Sequence, residues 1–186
     1  KQLESDIEEG DAAQAIRQSK EVIEAVYKVP FLAHACMEPM NATVSINEEG
    51  CQIWTGTQNP LGLRNDVAKA LELEPHQVKV NQHFMGGGFG RRAFTDFAVQ
   101  AALIAKQVKQ PIKVIWSRPE DIQHDLYRPA VVSKFRASLD DTGDLLSWEN
   151  TYHEKHEPAE APVIPYKVPH KAIKYAKSPT HVPFGY

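Results

Sequence analysis

The chain has 186 residues, 42% hydrophobic and 24% charged, which is enough for a substantial core and ordinary for a globular protein. Its formal net charge of -3 excludes a global basic field, and with it a general nucleic-acid binder or an electrostatic membrane anchor, so any anion site has to be local. Two cysteines without a CxxC pair, Cys36 and Cys51, exclude a disulfide framework and read as buried free thiols.

No apolar run approaches the roughly 20 residues of a membrane span, and the charged start is no signal peptide, so the chain reads as soluble. It begins with Lys1 and stops in the turn-like Pro183-Phe184-Gly185-Tyr186, the expectation for a piece excised from a larger protein. Residues 5–19 hold a short helix capped near Asp11, with Ala12, Ala15 and Ile16 on one side. Val22 to Val29 is β-branched, partly alternates and reads as a strand ended by Pro30. Phe31 to Met40 is an apolar loop in which His34 and Glu38 need partners if buried; a structural pair and a functional pair are both open.

Asn41–Asn47 and Cys51–Thr57 form a hairpin around Glu48-Glu49-Gly50, and the second strand runs into Gly56-Thr57-Gln58-Asn59-Pro60. That leaves Gln58 at a strand end, where α/β folds display ligand-contacting groups. A helix spans 61–73 and stops at Pro75, and the strand 77–82 delivers the chain to Phe84-Met85-Gly86-Gly87-Gly88-Phe89-Gly90-Arg91-Arg92. The alanine-rich run 91–108 is the clearest helix, followed by a strand at 112–116 and a short helix capped by Ser117. A last hairpin pairs 131–139 with 144–152 across Asp140-Asp141-Thr142-Gly143. Beyond it, prolines at 158, 162, 165, 169, 179 and 183 predict an extended tail without helix or central strand. His153, His156, His170 and His181 lie in or beside that tail with no recognised metal-ligand spacing, so no metal ligand is assigned.

Four of the ten glycines fall within five positions, between a strand and a predicted helix. Such a cluster serves either a tight turn or a close backbone approach to a ligand, with bare N–H groups and a helix start favouring an anion. Neither the dinucleotide GxGxxG nor the Gly-Lys-Ser/Thr phosphate loop matches. Phe89 between the glycines calls for a packing site.

Taken in order, Ala35-Cys36-Met37-Glu38-Pro39-Met40-Asn41-Ala42, Gly56-Thr57-Gln58-Asn59-Pro60, Met85-Gly86-Gly87-Gly88-Phe89-Gly90-Arg91-Arg92 and Tyr127-Arg128-Pro129 form a set. This set resembles the molybdenum-binding large subunit of the xanthine dehydrogenase and aldehyde oxidase family. Arg91-Arg92, with Trp116-Ser117-Arg118 and His124-Asp125, is most similar to the isoquinoline 1-oxidoreductase beta-subunit branch.

The resemblance implies an α+β fold, a mixed sheet with packed helices, as the first molybdopterin-binding domain of a molybdenum hydroxylase. It divides the chain into an entry helix and strand (1–30), a cofactor-binding core (31–156) and a Pro-rich tail or linker (157–186). It implies a molybdopterin with Mo, usually the cytosine dinucleotide form in bacteria, and hydroxylation of an aldehyde or N-heterocycle with oxygen from water. Gln58 matches the glutamine whose amide sits near the apical oxo ligand, the catalytic assignment, while Gly86, Gly87, Gly88, Phe89 and Gly90 match the cofactor-contacting loop. Arg91 and Arg92 stand where much of the family has Gly and Lys; Arg91 is assigned to the cofactor, with solvated helix-start charges as the equal alternative. The family's catalytic glutamate, second cofactor-binding half and iron–sulfur cysteines have no counterpart here. The expected partners are therefore the rest of the large subunit and a small iron–sulfur subunit, with no nucleic acid; a bacterial periplasm or cytoplasm fits the family, and the chain alone is expected to be inactive and without its cofactor. Two rivals remain open at this level: a subunit-interaction module whose glycines only turn the chain, and a nucleotide binder using the loop for ordinary phosphates.

Overall fold

The structure, a computed structural model, describes residues 3–153, 164–177 and 180–185. In chain order it forms β1 (Glu4–Glu9), α1 (Ala12–Gln18), β2 (Val22–Val29), β3 (Asn41–Asn47), β4 (Gly50–Thr55), α2 (Pro60–Leu71) and β5 (Val78–Gln82). A 3-10 turn at Arg91–Ala93 precedes α3 (Asp96–Val108), β6 (Ile112–Ile115), α4 (Arg118–Gln123), β7 (Val131–Leu139), β8 (Leu145–His153) and β9 (His170–Ala176). These elements divide into two units, Lys1–Phe31 with Pro129–His181, and Leu32–Arg128 with Val182–Tyr186.

The first unit is a five-stranded sheet in the order β1-β9-β8-β7-β2, antiparallel except for β8 beside β9. Its hairpin turn is fixed locally, because the Asp140 carboxylate accepts the N–H groups of Thr142 (2.8 Å) and Asp144 (3.0 Å). The Asp11 carboxylate caps α1 by accepting the Gln14 N–H at 2.8 Å, and α1 turns Ala12 and Ile16 inward. One expectation fails here and one strand was not foreseen. The helix begins after its Asp11 cap as expected, while residues 4–9, to which no element was assigned, are a strand whose Glu8 and Glu9 find Lys174 and Lys171 on β9 and whose Asp6 accepts the Tyr152 hydroxyl. The tail contains β9, a strand in the sheet interior: the described prolines at 165, 169 and 183 flank His170–Ala176 and spare its ladder, while Pro158, Pro162, Pro179 and His156 lie outside the described residues. The 31–156 core is likewise divided, because β7 pairs with β2 over its length, from Val22 opposite Ser138 to Val29 opposite Val131.

The second unit is a four-stranded sheet, β5-β4-β3-β6, in which only β4 and β5 run parallel. The chain is thus α+β, with two mixed sheets where one was expected. The connection β4-α2-β5 is a crossover, and both α2 and α3 pack on this sheet. Ala98, Ala101, Ala102 and Ala105 form one face of α3, all buried with Val44, Ile53, Leu63, Val67 and Phe97. Small side chains at that spacing let the helix lie close to the strands. Cys36 and Cys51 belong to this core as free thiols; burial pushes the Cys51 thiol up to about 11 and also raises that of Cys36. Among the described residues no helix is long and apolar enough to cross a membrane.

Candidate functional site

Parallel strands with a crossover carry their loops of one kind at one end, and here the carboxyl ends of β4 and β5 carry Gln58 and the glycine loop respectively. The two loops are stitched together where they leave the sheet: His83 N–H donates to Thr55 O (3.0 Å), and the Gln82 amide to Thr57 O (2.8 Å). Asn59 then caps α2 by accepting the Gly62 N–H at 3.0 Å, so Gln58 is held on the turn just before a helix. Its main-chain N–H donates to Arg92 O (2.9 Å), and its side-chain oxygen accepts the Gly90 N–H (3.1 Å).

The glycine loop is held by its carbonyls. Gly86 O accepts the Glu38 N–H (3.0 Å), Gly87 O the Arg92 Nε (2.9 Å), Gly88 O the Arg91 N–H (2.8 Å) and Cys36 Sγ (3.3 Å), and Phe89 O the Arg128 guanidinium (3.1 Å). On the donor side, Gly86 N–H goes to Glu38 Oε2 (2.7 Å). The N–H groups of Gly87, Gly88 and Phe89 and the side-chain amide nitrogen of Gln58 make no hydrogen bond among the described residues. Three consecutive free amide donors beside a free carboxamide are suited to an anionic or oxygen-rich group. Glycine is required by space as well as conformation: a Cβ on Gly88 would lie 2.6 Å from Gln58 Oε1, and Gly87 has φ +101°.

Glu38 is the hinge pin between this loop and the segment before β3. Its Oε1 accepts the Asn41 amide (2.8 Å), and Arg92 lies 3.3 Å from Oε2. Burial would raise its pKa, but the Asn41 and Gly86 donors and the Arg92 charge hold the carboxyl below its ordinary value. His34 is buried against Asp125, Nδ1 to Oδ1 at 3.1 Å, so His34 and Glu38 have separate partners rather than each other.

The arginines depart most from expectation. No α-helix starts at Arg91; a 3-10 turn intervenes and α3 begins at Asp96, so the loop does not open directly onto a helix N-terminus. Arg91 is 1% exposed and forms a two-point pair with Asp96 (2.8 and 2.7 Å), with Nε 3.0 Å from Asp125 Oδ1. Burial acts against its charge, yet the Asp96 hydrogen bonds and the Asp96 and Asp125 charges raise its pKa. Its side chain is buried rather than solvated, and its guanidinium is directed at Asp96 and Asp125. Arg92, 0% exposed, is buried likewise. Phe89 is 60% exposed rather than packed into a pocket, and its ring edges over Gly87. Sequence reasoning named Arg118 but gave it no role; its guanidinium binds the carbonyls of Cys36 and Met37 (2.5 and 2.9 Å) and Asp121, of which the Ser-Arg-Pro cap containing it gave no local sign. Among the described residues no group of three or more His, Cys, Asp or Glu could hold a metal ion; His170 instead accepts the Asp11 N–H.

Residues 1–174 match the model of a molybdopterin cofactor-binding domain. The aldehyde oxidoreductase molybdenum-binding subunit PaoC of Escherichia coli K12 is 32% identical over 137 residues, 73% of this chain and 19% of that protein. Isoquinoline 1-oxidoreductase subunit beta of Brevundimonas diminuta is 32% identical over 115 residues, 61% of this chain and 14% of that one. The chain thus spans less than a fifth of the length of these relatives. Among solved structures, quinoline 2-oxidoreductase of Pseudomonas putida 86 superposes with a TM-score of 0.85 over 99% of this chain and 26% of its own, at 20% identity. The aldehyde oxidoreductase of Desulfovibrio gigas does so with a TM-score of 0.80 over 100% and 22%, also at 20% identity, so both share the fold. The chain belongs to the molybdopterin cofactor-binding domain family, that of the molybdenum-binding subunits of xanthine dehydrogenases and aldehyde oxidoreductases.

Proposed function

We propose that this chain forms one wall of a molybdopterin site in a molybdenum hydroxylase that acts on an aldehyde or an electron-poor N-heterocycle. The observation that carries this reading is the row of free N–H groups at Gly87, Gly88 and Phe89 beside the free Gln58 amide, in a chain of this family. When bound, the cofactor supplies the redox chemistry and the substrate is hydroxylated with oxygen from water. The chain supplies orientation: the glycine amides hold the cofactor through their N–H groups, and the Gln58 carboxamide donates from Nε2 while its oxygen stays on Gly90. Gly86 and Gly90 shape the loop rather than donate, since both of their N–H groups are taken by side chains. Arg91 has no part in this contact and serves to fasten the 3-10 turn to α3.

The cofactor is read as the cytosine dinucleotide form, and the working enzyme as this chain with the rest of a large subunit and an iron–sulfur partner. Molybdenum and pterin analysis of the complete subunit purified from its host tests the reading. About one of each per chain, with the pterin released as a cytosine dinucleotide, is the expected result; a protein without either overturns it. A second reading, an interaction module whose loop is only a turn, draws on the exposure of Phe84 and of Met37, which is 85% exposed beside the loop. Loss of bound cofactor on changing Gly88, with the fold kept, separates the two.

A further inference from the structure

We propose that Arg92 is a positioning residue that fixes the Gly87–Gly88 peptide plane so that the Gly88 N–H faces the ligand; the inference rests on the function just proposed. A trans peptide is planar, with its C=O and N–H on opposite edges, so pinning one edge aims the other. Gly87 O is pinned by Arg92 Nε at 2.9 Å, and the N–H of that same peptide unit is the free N–H of Gly88. The neighbouring planes follow the same rule: Gly86 O is held by Glu38 N–H and leaves Gly87 N–H free, and Gly88 O is held by Cys36 and Arg91 N–H and leaves Phe89 N–H free. The Gly87–Gly88 plane turns about bonds to two glycines, which resist a flip least, and its carbonyl is held by a side chain alone.

Arg92 also spans the segments that meet at the site. Its Nη1 donates to Gly56 O (3.1 Å), two residues before Gln58, and its Nη2 to Glu38 O (3.0 Å) and Pro39 O (3.3 Å). A rigid fork of donors reaches these carbonyls at once, which a lysine ammonium on a flexible stem does not. The guanidinium is fully buried and lies over the Phe97 ring at 5.9 Å, so its charge is answered by backbone dipoles and by Glu38.

The test compares R92K, R92A and R91K in the complete subunit, with hydrogen exchange of the segment containing Gly86–Gly90 read in the cofactor-free protein and cofactor content read after expression. R92K is expected to speed exchange of the two hydrogen-bonded amides of that segment, those of Gly86 and Gly90, about tenfold or more as the loop loosens on losing a charge-assisted hydrogen bond. Its cofactor content should fall about tenfold, as when a partner behind a ligand is removed. R91K should lower the melting temperature through Asp96 and Asp125 while the loop keeps its exchange rate. Wild-type exchange and cofactor content in R92K overturn the proposal, as does equal loop loosening by R91K, which would make Arg92 one core cation among others. R92A should show the same loop effect in stronger form, and R92K carries the test should R92A fail to fold. If the wild-type subunit holds no pterin, the proposed function fails and the exchange arm alone decides whether Arg92 holds the peptide plane.

Discussion

Gly88 and Gln58 are matched by contact, and the match sets a sharp test at the residue scale. Gly88 does not have a positive φ, so alanine is tolerated by the backbone there; the added Cβ meets only the end of the Gln58 side chain, at 2.6 Å from Oε1. G88A should therefore cost under about 1 kcal/mol of stability while pushing the Gln58 carboxamide off Gly90. The expected outcome is an unchanged circular dichroism spectrum with clear loss of bound molybdenum, and retention of full molybdenum content would count against the cradle. Glu38 gives a test with a pH axis. Its folded pKa lies below the ordinary value, so its stabilisation is complete above the unfolded pKa of about 4.3 and is lost as pH falls through the lower folded value. A glutamine there would face two donors, the Asn41 amide and the Gly86 N–H, with a single acceptor. E38Q is expected to cost about 1–3 kcal/mol at neutral pH, and the gap to wild type should narrow below about pH 4 in urea titrations. A gap independent of pH would remove the carboxylate charge from the account. The glycine cradle and Gln58 were legible from sequence because backbone freedom and strand ends are local properties. The fates of Arg91 and Arg92 were not, because Arg91 meets Asp96 only through the 3-10 turn that replaces the expected helix start, and the other partners are Asp125, far along the chain, and carbonyls that carry no sequence signal.

At the scale of elements, patterns of period two and strong turn chemistry were readable, and pairing across the sequence was not. The strand at 22–29, the hairpins around Gly50 and Gly143 and the helix α2 match their residues closely, since apolar alternation, Asp and Gly turns and proline stops act within a few positions. β1 was not recognised as a strand because its acidic residues have poor strand propensity, which Lys171 and Lys174 of β9 offset only in the folded sheet. β9 itself was hidden by prolines counted over thirty residues, although the strand contains none. Gly50 illustrates an element held by a single missing side chain: with φ +137° it opens β4, and a Cβ there would lie 2.1 Å from Gln77 O, just before β5. That neighbour is backbone and cannot swing aside, so G50A should destabilise the second unit by about 1–3 kcal/mol. Chemical denaturation of wild type and variant measures it, and a difference within error would mean that β4 and β5 can separate there without penalty.

On the scale of the whole molecule, the family match covers both units, whereas the free donors sit in only one of them. The order of the motifs made the family legible, because each motif is a local string. The division into units stayed hidden, because it depends on β2 finding β7 more than a hundred residues later. This asymmetry predicts how the cofactor should stabilise the complete subunit. A ligand that binds only the folded state at 100 times its Kd adds about 2.7 kcal/mol, and that gain is felt by whatever unfolds together with the site. Cofactor-free and loaded protein should therefore differ in hydrogen exchange at Gly86–Gly90, around Gln58 and through the α3 core behind Arg92. The β1-β9-β8-β7-β2 sheet should exchange alike in both, since its backbone pairs within its own unit. Protection spread evenly over both sheets would show that the two units unfold as one, and protection confined to the five-stranded sheet would place the cofactor elsewhere than the glycine loop.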